Sequence, residues 1–166
     1  YRAMAGLHPV VEATSQVQAA QECALILHAN RAVTQHPPGD WACSSTEGQA
    51  AAARSLVAAK AVGPALDQLI LFGGPEATFA DRRALLSPTL ASVALGSTSE
   101  YSCIWLEDGA TAEAGFVAWP PPGQVPIEAF HPVEHGPDLS DVGWSIAASG
   151  LDGGPLSVTV ESAGRE

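Results

Sequence analysis

The chain has 166 residues and a mass of 17.0 kDa, the size of a single domain able to bury its own core. Apolar residues make up 46% and charged residues 15%, a folded rather than a disordered composition. The net charge of −11 excludes long-range attraction to nucleic acid or to an anionic bilayer, and no run approaches the roughly 18 apolar residues of a membrane span. The acidity is uneven. Residues 1–99 carry seven acids and six bases, a net of −1; residues 100–166 carry eleven acids and one base, Arg165, a net of −10. Lysine and asparagine each occur once, at Lys60 and Asn30, amid abundant alanine, a bias that fits GC-rich bacterial coding.

The first half reads as helical. From Glu12 to Val33 there is no Gly or Pro, and Val17, Ala20, Ala24, Leu27 and Val33 recur on one face, which predicts a long helix with a single buried stripe. His36-Pro37-Pro38-Gly39-Asp40 ends it. A second helix is expected from Thr46 to Ala61, opened by a capping box at Thr46–Gln49, and Gly63-Pro64 stops it. Pro64 then serves as first residue of a third helix, Ala65 to Phe72, and Glu76 to Leu86 makes a fourth. After Ser87-Pro88 the pattern changes to strands: Thr89–Leu95, Ser102–Leu106, Glu113–Trp119, and a last pair at Gly143–Ala148 and Leu156–Glu161. Helices first and strands second is the order of an α+β domain, not of alternating βαβ units, and residues 1–166 read as one domain. The opening at Tyr1-Arg2, without a methionine, suggests a processed chain or a fragment of a longer exported one.

Three cysteines and no CxxC argue against structural zinc and thioredoxin-like chemistry. One disulfide with one buried thiol suits an exported protein. The expected bridge is Cys23–Cys43, because the His-Pro-Pro reversal brings the chain back beside the first helix, with Cys103 left unpaired in a strand.

Several segments in this order resemble a known family. They are YRAMAGLHPV, then His36-Pro37-Pro38 followed by Trp41 and Cys43, an alanine-rich helix, ADRRALLSP at Ala80–Pro88, and finally SCIWL, AWPPPGQVP and WSIA. Together they resemble the bacterial branch of the CAP superfamily (cysteine-rich secretory proteins, antigen 5 and pathogenesis-related proteins of class one). The likeness implies an α-β-α sandwich, with helices in the N-terminal half and an antiparallel sheet mainly in the C-terminal half. It also implies a cleft with two histidines and two acids that can hold a divalent metal. His36 falls at the first histidine. Asp81 stands where the second is expected, and no carboxylate lies near Arg54-Ser55-Leu56, Glu47 being about two turns earlier. The family tetrad is thus degraded, and His36 with Asp81 would give fewer ligands than the three or four zinc takes.

Catalytic candidates reduce to a His36/Asp81 pair, with Ser44, Ser45 or Ser55 as nucleophiles by type alone. His131, Glu134 and His135 are candidate metal ligands in a loop; Pro132 breaks helical spacing there, and the nearby Asp138 and Asp141 make calcium as arguable as zinc. Trp41, Trp105, Trp119 and Trp144 could stack on sugars, but Trp119 and Trp144 read better as sheet packing. Of Arg82 and Arg83, one is expected to pair with a buried acid and tie the fourth helix to the core. The expectation is an extracellular or cell-surface, non-enzymatic module with a structural or interaction role, binding no tightly held cofactor. It would meet a protein partner or self-assemble, its acidic portion against a basic patch containing Arg2, Arg31 or Arg54, or bridged by calcium. A binder of a hydrophobic ligand such as a sterol or fatty acid, and a hydrolase using His36 and Asp81, are the alternatives.

Overall fold

A computed structural model describes residues 1–72, 79–109, 116–126, 129–130 and 142–148. The fold is mixed α+β, with helices mostly in the N-terminal half and strands mainly after them. Two sheets form. The larger has the order β1-β3-β4-β2, built from Val11–Glu12, Leu90–Ser97, Ser102–Asp108 and Ser55–Ala58. The smaller pairs β5, Phe116–Trp119, antiparallel with β6, Ser145–Ala148.

Alternation along the central hairpin sorts the core into two layers. Ala94 stands opposite Trp105 and Gly96 opposite Cys103, and this face packs on α1 (Val17–Asn30) and α2 (Thr46–Ala52) through Ala20, Cys23, Ala24, Leu27, Ala51 and Ala52. Leu95 pairs with Ile104 and Val93 with Leu106 on the other face. There Ile104 joins Ile70 and Leu71 of α3 (Val62–Leu71), Leu85 of α4 (Ala80–Leu85), Trp119, Phe130 and Val142.

Several expected boundaries move, each for a tertiary reason. The first helix does not start at Glu12. Val11–Glu12 pairs parallel with Ser92 and Val93, Ala13 donates its N–H to the Val93 carbonyl, and a 3-10 turn at Thr14–Gln16 leads into α1. α1 stops at Asn30, because Arg31 turns left-handed (φ 49°). The second helix is half the expected length: after Ala52 the chain becomes β2, held by antiparallel pairing with β4. Its cap is Ser45, one residue before the expected Thr46; the Ser45 hydroxyl oxygen accepts the Gly48 N–H at 3.0 Å. Val62 rather than Pro64 opens α3, and the Ser97 hydroxyl accepts the Val62 N–H. Residues 76–78 of the expected fourth helix and the expected strand Leu156–Glu161 lie outside the described residues.

The disulfide also differs from expectation. Cys23 bonds Cys103, with Cα atoms 6.1 Å apart, and Cys43 is the free, exposed cysteine. The reason is facing: Cys23 lies on the buried stripe of α1, and Cys103 shares the strand face that Gly96 presents to that helix. Cys43 sits in the α1–α2 connection with a positive φ of 60°.

Candidate functional site

His36 and Asp81 are both exposed. The His36 backbone N–H donates to the Thr34 hydroxyl, and no hydrogen bond or ion pair joins its ring to Asp81 among the described residues. Asp81 lies in the first turn of α4, where partial desolvation raises its carboxyl above the usual range. No group of three or more His, Cys, Asp or Glu is placed to hold a metal among the described residues. His131, Glu134, His135, Asp138 and Asp141 lie outside them. The serines are engaged in the fold. Ser45 donates its hydroxyl proton to Glu22 at 2.6 Å while capping α2, Ser44 accepts from the Gln49 amide, and Ser55 is buried in β2.

Arg82 is 1% exposed and holds the α3–α4 side of the molecule together. The expected acid partner is replaced by main-chain carbonyls. Nε donates to the Ile70 carbonyl, Nη1 to Gly143 (3.2 Å), and Nη2 to Leu71 (3.3 Å) and Val142. Two of these acceptors are the last carbonyls of α3, which carry the negative end of its dipole. The Phe79 ring covers the guanidinium at 4.2 Å from the ring centroid and is backed by Gly143, whose φ of +58° and lack of a Cβ let the ring approach. Burial lowers the Arg82 pKa to about 10, so the group remains charged at neutral pH. Arg82 is therefore a structural hub.

The tryptophans divide. Trp119 is buried among Tyr1 and Phe130, as its sequence context suggests. Trp105 is nearly buried beneath Arg54. Trp144, expected to pack on the sheet, is instead 75% exposed. It borders a depression of about 580 Å³ together with Pro120, Pro121, Pro122 and Phe130.

The most site-like feature was not singled out from the sequence. A groove of about 430 Å³ runs between the N-terminal segment, α3 and the α3-facing side of the large sheet. Its floor is the buried set Ile70, Leu85, Leu90 and Ile104, and its walls include Val10, Leu66, Val93 and Leu95. Among the described residues, polar side chains enter it from Tyr1, Arg2 and Asp67. Tyr1 donates its hydroxyl to Asp67 at 2.6 Å, which, with desolvation as the larger cause, raises the Tyr1 pKa. Arg2 lies beside them, its Nη1 donating to the Leu85 and Ser87 carbonyls and its Nε to the His8 carbonyl. Such a groove suits a mostly apolar ligand with one polar end. Its residues come from five separated segments, so no local pattern announces it; the Tyr1-Arg2 pair was the sole sequence cue, and it carried only a resemblance. Compared with protein-family models, with curated proteins and with solved structures, the chain matches none.

Proposed function

We propose that this chain is an exported, CAP-like module that works by binding rather than by catalysis. The observation that carries the reading is the Cys23–Cys103 bridge, which joins α1 to the middle of the sheet inside a core with helices on both faces. A disulfide so placed suits an oxidising compartment, and no described helix is long and apolar enough to cross a membrane. The layered α+β arrangement supports the CAP likeness drawn from the motifs. The test is thiol alkylation of the protein recovered from fractionated source cells. Recovery outside the cytoplasm, with one alkylated cysteine rather than three, is expected. Cytoplasmic protein with three reactive thiols overturns the reading.

A second reading has its own support. The groove beneath Tyr1 and Arg2 has a volume within the roughly 300–1,000 Å³ of small-molecule sites and a mainly aliphatic lining, which favours a hydrophobic ligand. Saturable binding of a single-chain amphiphile, lost when Leu66 and Leu95 are both changed to Asp in a folded protein, is the expected result. Binding that survives that change places the ligand elsewhere.

A further inference from the structure

We infer that the polar depression between Arg31, Lys60 and the β3–β4 turn binds a sugar acid, a hexuronate. Arg31 and Lys60 hold its carboxylate, and the turn takes its hydroxyls. This is a second site on the binding module, sharing no lining residue with the apolar groove.

Lys60 is the chain's only lysine, and the fold brings it to the same depression, of about 690 Å³, as Arg31. Ser99, Glu100 and Tyr101 of the β3–β4 turn and Pro64 of α3 line it with them. Arg31 occupies the left-handed cap of α1 at φ 49°, a position that glycine or asparagine fills most easily. A long cation is thus kept where the backbone disfavours it, as happens at functional sites. The walls are pinned in place. Thr98 donates its N–H to the Tyr101 carbonyl at 2.8 Å, and the Thr98 hydroxyl oxygen accepts the N–H groups of Glu100 and Tyr101. His28 of α1 contacts the Thr98 hydroxyl at 3.0 Å and meets the Tyr101 ring edge-on. Gln21 fastens the end of β3 to α1 through both the N–H and the carbonyl of Ser97. The Ser97 hydroxyl in turn accepts the Val62 N–H at the start of α3. The groups around the depression are therefore preorganised. Their chemistry selects the ligand. A guanidinium and an ammonium match one carboxylate. Glu100 disfavours a doubly charged phosphate by like-charge repulsion, yet accepts protons from hydroxyls. Ser99 can donate and accept, and Tyr101 adds an aromatic surface for the C–H side of a sugar ring. A ring with a single carboxylate and several hydroxyls satisfies all of these groups. The net charge of −11 opposes an extended polyanion, but over a screening length of about 8 Å at physiological salt the local cation pair governs the capture of one charge.

Amide chemical-shift titration of the isotope-labelled protein with glucuronate, glucose and acetate, at constant ionic strength, tests this. Glucuronate is expected to shift the amides of Lys60, Ala61, Glu100 and Tyr101 and to bind about tenfold tighter than glucose or acetate, the effect of one charge-assisted hydrogen bond. Arg31→Asn combined with Lys60→Gln should lower glucuronate affinity to that of glucose. Both side chains are exposed, and asparagine accepts the left-handed backbone, so the double variant keeps the fold. Glu100→Ala should weaken glucuronate about threefold while acetate binds more tightly. Acetate binding as tightly as glucuronate overturns the sugar class. Equal affinity for glucose and glucuronate, or unchanged glucuronate binding in the double variant, overturns the carboxylate assignment. No saturable shift with glucuronate overturns the site. Each of these failures leaves the amphiphile reading of the groove standing, because the two sites share no residue.

Discussion

The two faces of the large sheet are built on opposite plans. Toward α1 the contact is made of small residues, and helix and strand touch backbone to backbone. A Cβ on Gly96 would lie 1.9 Å from the Ala20 carbonyl oxygen, and one on Gly48 would meet Ile26 and the backbone of Glu22. Cys23–Cys103 locks the same interface covalently. Toward α3 and α4 the contact is made of large aliphatic and aromatic side chains, gathered around a buried cation, and it leaves a groove. Close approach of small residues gives a rigid, filled layer, whereas large side chains around a polar hub leave space that a ligand can use.

Breaking the first plan should cost most. Cys103→Ala removes a cross-link with a sequence separation of 80, which on the chain-entropy model is worth about 4–5 kcal/mol. Chemical denaturation of the variant, and of the native chain under reductant, should show similar losses. Full native stability in the reduced protein would show that small-residue packing alone holds the face. Gly96→Ala tests that packing directly. Since the obstacle is helix backbone rather than a flexible side-chain tip, α1 must lift from β3, at a cost of roughly 3–5 kcal/mol. A change below about 1 kcal/mol would mean that the helix shifts freely.

The second plan breaks at Arg82. Arg82→Met keeps an apolar stem but leaves the carbonyls of Ile70, Leu71, Val142 and Gly143 without their donor, for a loss of roughly 3 kcal/mol. Hydrogen exchange sharpens the comparison: protection should fall in α3, α4 and β6 while α1 and β4 keep theirs. Uniform loss across both faces would make the core a single cooperative unit.

What the sequence disclosed follows from the same contrast. The stripe Ala20, Ala24 and Leu27 of α1, and the strands around Val93 and Ile104, carry their periodicity within one segment and were legible. β2 was hidden because Ala50 to Ala53 and the alanines after Val57 favour a helix by propensity, and pairing with β4 overrides that preference. The pairing of Cys23 with Cys103 depends on which strand face meets α1, which no spacing within the first fifty residues reveals. Of Arg82 and Arg83, one is expected to find an acid because buried charges usually do; the buried one, Arg82, bonds mainly main-chain carbonyls instead, and a carbonyl leaves no mark on the sequence. The groove draws on Arg2, Leu66, Leu85, Leu95 and Ile104, distant residues that only the folded chain brings together.

The smallest expected effect lies at the junction of α1 and α2, on the rigid side. The Ser45 hydroxyl accepts the Gly48 N–H and donates to Glu22, whose second carboxylate oxygen accepts the Gln18 amide. The Ser45 hydrogen bond first, and the Gln18 bond second, hold the Glu22 carboxyl below its usual range. A carboxyl depressed in the folded state contributes stability that is present above its unfolded pKa and lost as pH falls through its folded pKa. Ser45→Ala should therefore act twice. At neutral pH it should cost about 1 kcal/mol as a lost helix cap. Across the acid limb, below the ordinary glutamate range, the variant should lose stability less steeply than the native chain, because Glu22 no longer binds its proton so much more weakly when folded. Denaturation midpoints measured from pH 7 down to pH 3 check both effects. Parallel acid limbs would show that the Ser45–Glu22 bond is too solvated to link pH to stability, leaving the cap as the residue's whole contribution.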